Sequence, residues 1–587
     1  MRSLLVKLGR YYRTVRPLRA VQIHGRVAFR LRRRLDETLG RPRRGVEPGV
    51  TLLTSAKGAL RALWACRRDT LIDPEEAASR AEDAGRGAFT FLGEGEDYGA
   101  ITSIDWRDPQ KSKLWRYHLH YHDEVQALLA TEHPALENFL MTWIAHNPPP
   151  YGEGWEPYPI SVRMRNWLFA LAMRPQLPPE VAGSLYVQAG YLFRNLEHHL
   201  QGNHLFKNAF ALFLAGIALG GGEGEKWRAC AEDLIVREIA EQILPDGGHY
   251  ERSPMYHALV LEDLLDLLFL AEHLGMGRIA GKARPAVRKM VEFLDRFRHP
   301  DGEIPLFNDA AFGMAPPTQR LLHFAQKVLG YGPAGGVERP LHPFEASGYA
   351  ILGPSPHDRL LIDFGEIGPD YLPGHAHCDL ASFELSLGGR RVVVDTGTST
   401  YETNGERQAI RGTRAHNTVS VDSLDQSEIW GSFRVGARAR PRGAFHRVGQ
   451  TIAFLSVAHD GFARVSRSLR HRRTFCLLTP TPGRFAFLIL DRVTGRDAKT
   501  HRVESFLHLH PDVSWRFEGT TLHCWVEGKG WCCSPFPVPF SVESSFYAPC
   551  FGVRLENTRF CQTLSATLPA VLGYAIHPEG TPPPTAT

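Results

Sequence analysis

Several things are absent from this chain of 587 residues. No apolar run reaches the roughly 18 residues that a membrane span needs. No C-x-x-C pair occurs among the nine cysteines. Their odd number argues against a disulfide framework or a cysteine zinc knuckle, so most read as small buried hydrophobes. No internal repeat of fixed period is present. No acidic residue precedes Asp36, whereas Lys7 and many arginines do. That start, "MRSLLVKLGRYYRTVRPLRAVQIHGRVAFRLRRRL", also lacks the apolar core and small-residue cleavage site of a secretory signal. It reads as an Arg-rich helix packed on the next domain or solvated, or else as a surface that meets acidic lipid or polymer. No nucleic-acid module accompanies it, so nucleic acid is not the expected partner.

What is present is ordinary globular material, 43% hydrophobic and 22% charged, with a net charge of +5. The length calls for two or three domains. From about 115 to 300 the apolar residues recur at three-to-four spacing, as in "ISVRMRNWLFALAM" (160–173) and "HLFKNAFALFLAGIALG" (204–220). "MYHALVLEDLLDLLFLAEHL" (255–274) is apolar nearly all round and should be mostly buried. Medium helices with short joins predict an antiparallel helical array, closed or not into a toroid. From about 345 short β-rich runs such as "RLLIDFG", "SFELSL" and "FAFLILDRV" alternate with Gly, Pro and Asp turns, which predicts an antiparallel β-sandwich. The expectation is therefore a multidomain α + β chain. An Arg-rich segment covers 1–50, a helical domain 51–330, a β domain 345–577 and a disordered tail 578–587. The boundary falls near "GYGPAGGVERPLHP" (330–343).

Within the β half, "GHAHCDLASFELSLGGRRVVVDTGTSTYETNGERQAIRGTRAHNTVSVD" gathers His375, His377, Asp395 and His416. Imidazole and carboxylate are zinc ligands, and strand ends can bring them together. A two-residue turn at Gly388-Gly389 would set Asp395 opposite Ser382 and leave His377 on the other face. Gly374–Asp379 is therefore expected to leave the regular ladder. Spacing alone marks a metal or catalytic site and leaves the reaction open.

"PGHAHCDLASFELSLGGRRVVVDTGT" and "RGTRAHNTVSVDSLDQSEIWGSFRVG" closely resemble the C-terminal domain of the heparinase II/III-like polysaccharide lyases. "WEPYPISVRMRNW" (155–167), "GNHLFKN" (202–208) and "PDGGHYERSPMYH" (245–257) resemble that family's N-terminal motifs. The resemblance implies an N-terminal (α/α) toroid, a C-terminal β-sandwich and a cleft between them. It implies β-elimination on an acidic, uronic-acid polysaccharide. It implies a zinc ion, here expected to be structural, on His377, Asp395 and His416. It places catalysis on His375, Tyr256 and Asn203, with His204 beside the last. It implies export to the periplasm; the poor signal leaves the cytoplasm as the alternative.

The chemistry asks for these residue types. Elimination removes the proton at C5 of a uronate and expels the oxygen at C4. Asn203 and His204 could donate hydrogen bonds to the charge developing on the carboxylate. Tyr256 is favoured as acid and also as base, with His375 as base or as the group that tunes it. Tyr250 is the nearest rival to Tyr256. Arg163, Asn166, Arg411 and Arg414 are expected to bind substrate carboxylates or sulfates. The rivals are a zinc-dependent glycan hydrolase and a catalytically silent glycan-binding or assembly protein of a polysaccharide export system. The oligomeric state stays open.

Overall fold

The computed structural model describes residues 2–40, 46–332, 339–481, 483–496 and 498–580. The middle of the expected boundary (333–338) and the end of the expected tail (581–587) lie outside the described residues.

Two helices open the chain, α1 (Arg2–Val15) and α2 (Ala20–Leu39). A helical half then runs from Thr54–Leu71 to Thr318–Leu329, with one small hairpin at Ala88–Phe91 and Glu94–Asp97. Its helices pack as sequential antiparallel neighbours: Gly202–Leu219 lies on Gly221–Gln242, and Pro254–His273 on Gly277–Arg296. The helix Pro254–His273 starts where local chemistry requires. Pro254 needs no amide donor in the first turn, and the Ser253 side chain accepts from the Tyr256 N–H at 3.2 Å. Almost all of Gly202–Leu219 is buried, as the apolar run after Asn208 demands; its first turns also bury Asn203, Lys207 and Asn208.

The paired strands of the β half are all antiparallel among the described residues. A five-stranded sheet runs in chain order from Leu341–Phe344 to Arg390–Val393. An eight-stranded sheet centres on Arg470–Thr481, Arg484–Thr494 and Ala570–Pro578, and a four-stranded one carries Thr500–His508 and Val419–Val421. Leu360, Ile362, Phe383 and Leu385 meet Leu455, Val457, Phe475 and Ile489 in one core. A second cluster seals the seam between the halves, with Phe293, Phe297 and Phe307 against Phe344, Tyr349 and Leu361.

The Gly388-Gly389 turn forms, with φ of 56° and 88°. Both glycines therefore take the left-handed region that a tight hairpin requires. Leu387 pairs with Arg390 and Ser386 with Arg391 as expected, but Leu385 pairs with Val393. A bulge shifts the register by one, so Asp395 is not set opposite Ser382 by a regular ladder. Residues 374–382 lie outside the strands, in a loop that carries His375 and His377 to the seam.

Candidate active site

The site is built around a four-residue turn, "FNDA" (307–310), that the β-half loop grips. Asn308 adopts φ 56°, a conformation that asparagine tolerates well. Its side-chain oxygen accepts from the His377 N–H at 2.9 Å, and its amide donates to the carbonyl of Arg252. Asp309 accepts from Arg407 on both carboxylate oxygens, meets His375 Nδ1 at 3.1 Å and meets His377 Nε2 at 2.9 Å. Its carbonyl accepts from Ser253 Oγ at 2.6 Å. One buried residue thus joins the start of the Tyr256 helix, through its backbone carbonyl, to both histidines of the His-x-His motif, through its carboxylate. Burial alone would raise the Asp309 carboxyl, but Arg407, His375 and His377 hold it well below the usual range.

The second ring nitrogen of His375 meets Glu251 Oε2 at 3.2 Å. Burial would lower this imidazole, yet its bonds to Asp309 and Glu251 raise it to about 9. It is a cation at neutral pH. Both nitrogens are occupied by carboxylates, so no free lone pair remains to take a proton. Of the two expected roles, base or tuning cation, this arrangement suits the second.

Glu251 also ties in Asn203, whose backbone N–H and side-chain amide donate to it at 2.8 and 3.0 Å. That approach requires Gly202. A Cβ there would lie 2.4 Å from Glu251 Oε1 and 2.5 Å from Leu372 Cδ2, and the backbone sits at φ 59°. Asn203 therefore faces Glu251, while its side-chain Oδ1 is buried without a hydrogen-bond partner. Burial alone would raise the Glu251 carboxyl, but His375, His249 and the Asn203 N–H hold it at about 2 against an ordinary 4.5. A depressed carboxyl contributes stability that is complete above its ordinary value and lost as pH falls through the folded one. The contribution is on the order of 3 kcal/mol. Thermal unfolding followed downward from pH 4.5 should show this acid limb, and Glu251→Gln should flatten it. An unchanged limb in the variant would contradict the assignment.

Tyr256 packs face-on against His375, with ring centroids 3.8 Å apart at 30°. Its hydroxyl meets the Tyr401 hydroxyl at 3.1 Å. Burial and Tyr401 push the phenol well above its usual value, so it is protonated. Asn203, Glu251, His375 and Tyr256 thus form one connected chain of contacts across the seam. His204 stands at its edge, partly exposed, with Nδ1 3.2 Å from Glu197 and its ring on Tyr158. Tyr250, the rival phenol, lies against His249 and Tyr371 instead.

The expected sugar-binding residues are placed differently. Arg163 is fully buried; it donates to Gln188 and to the carbonyls of His120 and Gly154, with Trp143 beneath it. Asn166, also fully buried, donates to the Tyr121 carbonyl and Asp123. Arg411 donates to the carbonyls of Ala376 and Gly431, bracing the histidine loop. Arg414 is half exposed but pairs with Glu504 and Glu543. These four side chains are committed to scaffolding, so as placed the first three cannot grip a substrate and Arg414 is already neutralised. Burial is the reason, because such guanidinium and amide groups are kept only where the fold satisfies them.

A metal finds suitable donors beside this chain. His377 Nδ1 and His416 Nε2 are buried and have no partner. His416 Nδ1 meets Asp395 Oδ2 at 2.8 Å, and the His377 and His416 rings are 5.3 Å apart. Asp379 has a buried oxygen without a partner too. Burial pushes Asp379 and Asp395 up despite His416 beside them, a sign of uncompensated negative charge. As placed, no three His, Cys, Asp or Glu side chains among the described residues converge on one point at ligand spacing. In donor chemistry and burial the trio still fits zinc.

Residues 75–327 match the family described as Heparinase II/III N-terminus, and residues 336–571 match Heparinase II/III-like, C-terminal. The chain belongs to the heparinase II/III family. Two relatives of this heparinase II/III-like protein share 27% identity with it. One is the heparin-sulfate lyase of Bacteroides stercoris, over 305 residues, 47% of this chain and 45% of that one. The other is FtsZ-localized protein C of Caulobacter vibrioides, over 357 residues, 53% and 56% of the two chains. The chain spans about half the length of these curated relatives. The crystal structure of heparinase III superimposes with a TM-score of 0.67 and 18% identity, over 90% of this chain and 85% of that one. The expected architecture, a helical N-terminal toroid followed by a β-sandwich, is the fold of this heparinase II/III-like protein.

Glu251, Asp309, Arg407 and Tyr401 are functional neighbours that no motif spacing marks. Glu251 lies two residues before "SPMYH", where an acid beside the motif is a signal, and Tyr401 and Arg407 lie in the segment that carries the histidines. Asp309 in "FNDA" carries no spacing signal at all.

Proposed function

We propose that this protein is a polysaccharide lyase that cleaves a uronic-acid polymer by β-elimination, with a glycosaminoglycan or the cell's own exopolysaccharide as substrate. The observation that carries the reading is a phenol stacked on a buried imidazolium, with an amide one carboxylate away. The heparin-sulfate lyase activity of a partial relative supports the substrate class. In this reading the base takes the proton at C5, the C4–O bond breaks, C4=C5 forms and the departing oxygen is protonated. The Tyr256 phenol, held protonated in the free protein, serves the acid half directly. The base half needs its phenolate, and His375 is the cation placed to support it. In this reading Asn203 and His204 donate to the charge gathering on the substrate carboxylate, for which the Asn203 amide must turn from its bond to Glu251.

Zinc on His377, Asp395 and His416 belongs to the same proposal. Bound there it supplies a cross-link between the histidine loop and the strand ends, which fixes the direction of His375. His377→Ala is expected to lower metal content and unfolding temperature together; a variant that keeps its zinc would remove His377 from the ligand set. The reading places the protein in the periplasm and leaves the N-terminal helices outside the chemistry, free to meet a surface of opposite charge.

The test is a screen of purified protein against heparan sulfate, hyaluronan, chondroitin, alginate and native exopolysaccharide, read by the ultraviolet absorbance of an unsaturated uronate. Cleavage without that absorbance would mean a hydrolase. Binding without cleavage across the panel would favour the assembly-protein reading.

A further inference from the structure

The first two helices carry a surface that the site does not use. Among the described residues, 22 large hydrophobic side chains are exposed, and ten of them lie between Leu8 and Leu39. On α2 they fall at four-residue steps: Ile23, Val27, Leu31 and Leu35 are each about half exposed. Such spacing keeps them on one side of the helix. On α1, Leu8, Tyr12 and Val15 follow at steps of four and three, which also keeps them on one side. The opposite sides are tied to the body. The Gln22 amide donates to the Tyr371 carbonyl, Phe29 packs on His199 and Arg33 pairs with Glu156. Trp430 donates to Thr14 Oγ1 and packs on Tyr11. The apolar rows are thus the outer faces of docked helices.

Charge decides what could cover them. Arg26, Arg30 and Arg34 each precede a member of the α2 row, and none has a carboxylate within ion-pair distance among the described residues. Residues 1–35 hold ten arginines and Lys7 with no acid. A second copy would set one arginine row against another. A soluble acidic polymer would satisfy the arginines and leave the apolar row in water. An anionic bilayer satisfies both, because acyl chains take the row and headgroups take the guanidinium groups. No helix among the described residues is long and apolar enough to cross a membrane, which leaves a helix lying in the interface.

We infer that α2, continued by α1, is an interfacial anchor that seats its outer apolar row in an anionic lipid surface. This goes beyond the lyase reading and is tested without it. Full-length protein is sedimented with vesicles of phosphatidylcholine alone and with added phosphatidylglycerol. Wild type should bind the anionic vesicles and weaken with salt. The triple variant Val27→Ser, Leu31→Ser, Leu35→Ser should lose about tenfold or more in affinity. Its unfolding temperature and any elimination activity should be little changed, because the row lies on the outer face of the helix and none of its members belongs to a buried core. The inference is overturned if wild type fails to sediment with anionic vesicles, or if the triple variant binds as well as wild type. It is also overturned if the row proves to hold a dimer that the variant dissolves, or if soluble acidic polysaccharide takes the arginines while vesicles are ignored.

Discussion

Replacing Tyr256 with phenylalanine is expected to reduce elimination by roughly 10²–10⁴-fold while leaving unfolding almost unmoved. The ring is what the fold uses. It stacks on His375 at 3.8 Å and joins the helical core, and phenylalanine keeps both contacts. The hydroxyl has one partner, the Tyr401 hydroxyl at 3.1 Å, and losing one such bond costs about 1 kcal/mol. The proton-transfer role has no substitute on the ring, so the losses separate cleanly. Turnover by the variant on the best polymer of the panel, set beside its urea midpoint, checks this. Residual activity within a few-fold of wild type would move the acid role to another group, with Tyr401 next to be tried.

The second large effect falls on stability. Asp309→Asn keeps the shape of the side chain and removes its charge. Arg407 and Asp309 are both fully buried. Neutralising one partner of such a pair leaves an uncompensated guanidinium in a region from which it cannot reach water, which costs about 3–5 kcal/mol. His375 would lose one of the two carboxylates that keep it charged, so activity should fall as well. A urea midpoint displaced at constant slope is the expected signature. A variant as stable as wild type would mean that Arg407 finds another acceptor, of which the Ser432 carbonyl is the nearest already bonded to it.

The contrast between the two variants also shows what can be read from a sequence. The change of apolar period from helical to alternating was visible because every residue of an element votes for it. The start of the Tyr256 helix was visible because Ser253 and Pro254 act over one turn. The Gly388-Gly389 turn was visible, but the bulge after it was not, since nothing in "SFELSL" distinguishes a ladder from one slipped by a residue. Arg163 and Arg411 looked like sugar binders because a guanidinium in a motif has the same letter whether it points into a groove or holds carbonyls in the interior. Asp309 could not be found at all. Its importance comes from residues 66 and 98 positions away, and long-range convergence leaves no local trace.

The seam turn at residues 307–310 has a bearing on how this protein could come to accept a different polymer, if it is the lyase proposed above. The same carboxylate clamps the two halves together and holds the charge of the His375 imidazole, so drift in that turn would endanger folding and the proposed turnover at once. Retargeting should therefore proceed along the rim, at partly open positions such as His204, where a side chain can be exchanged without loosening the joint.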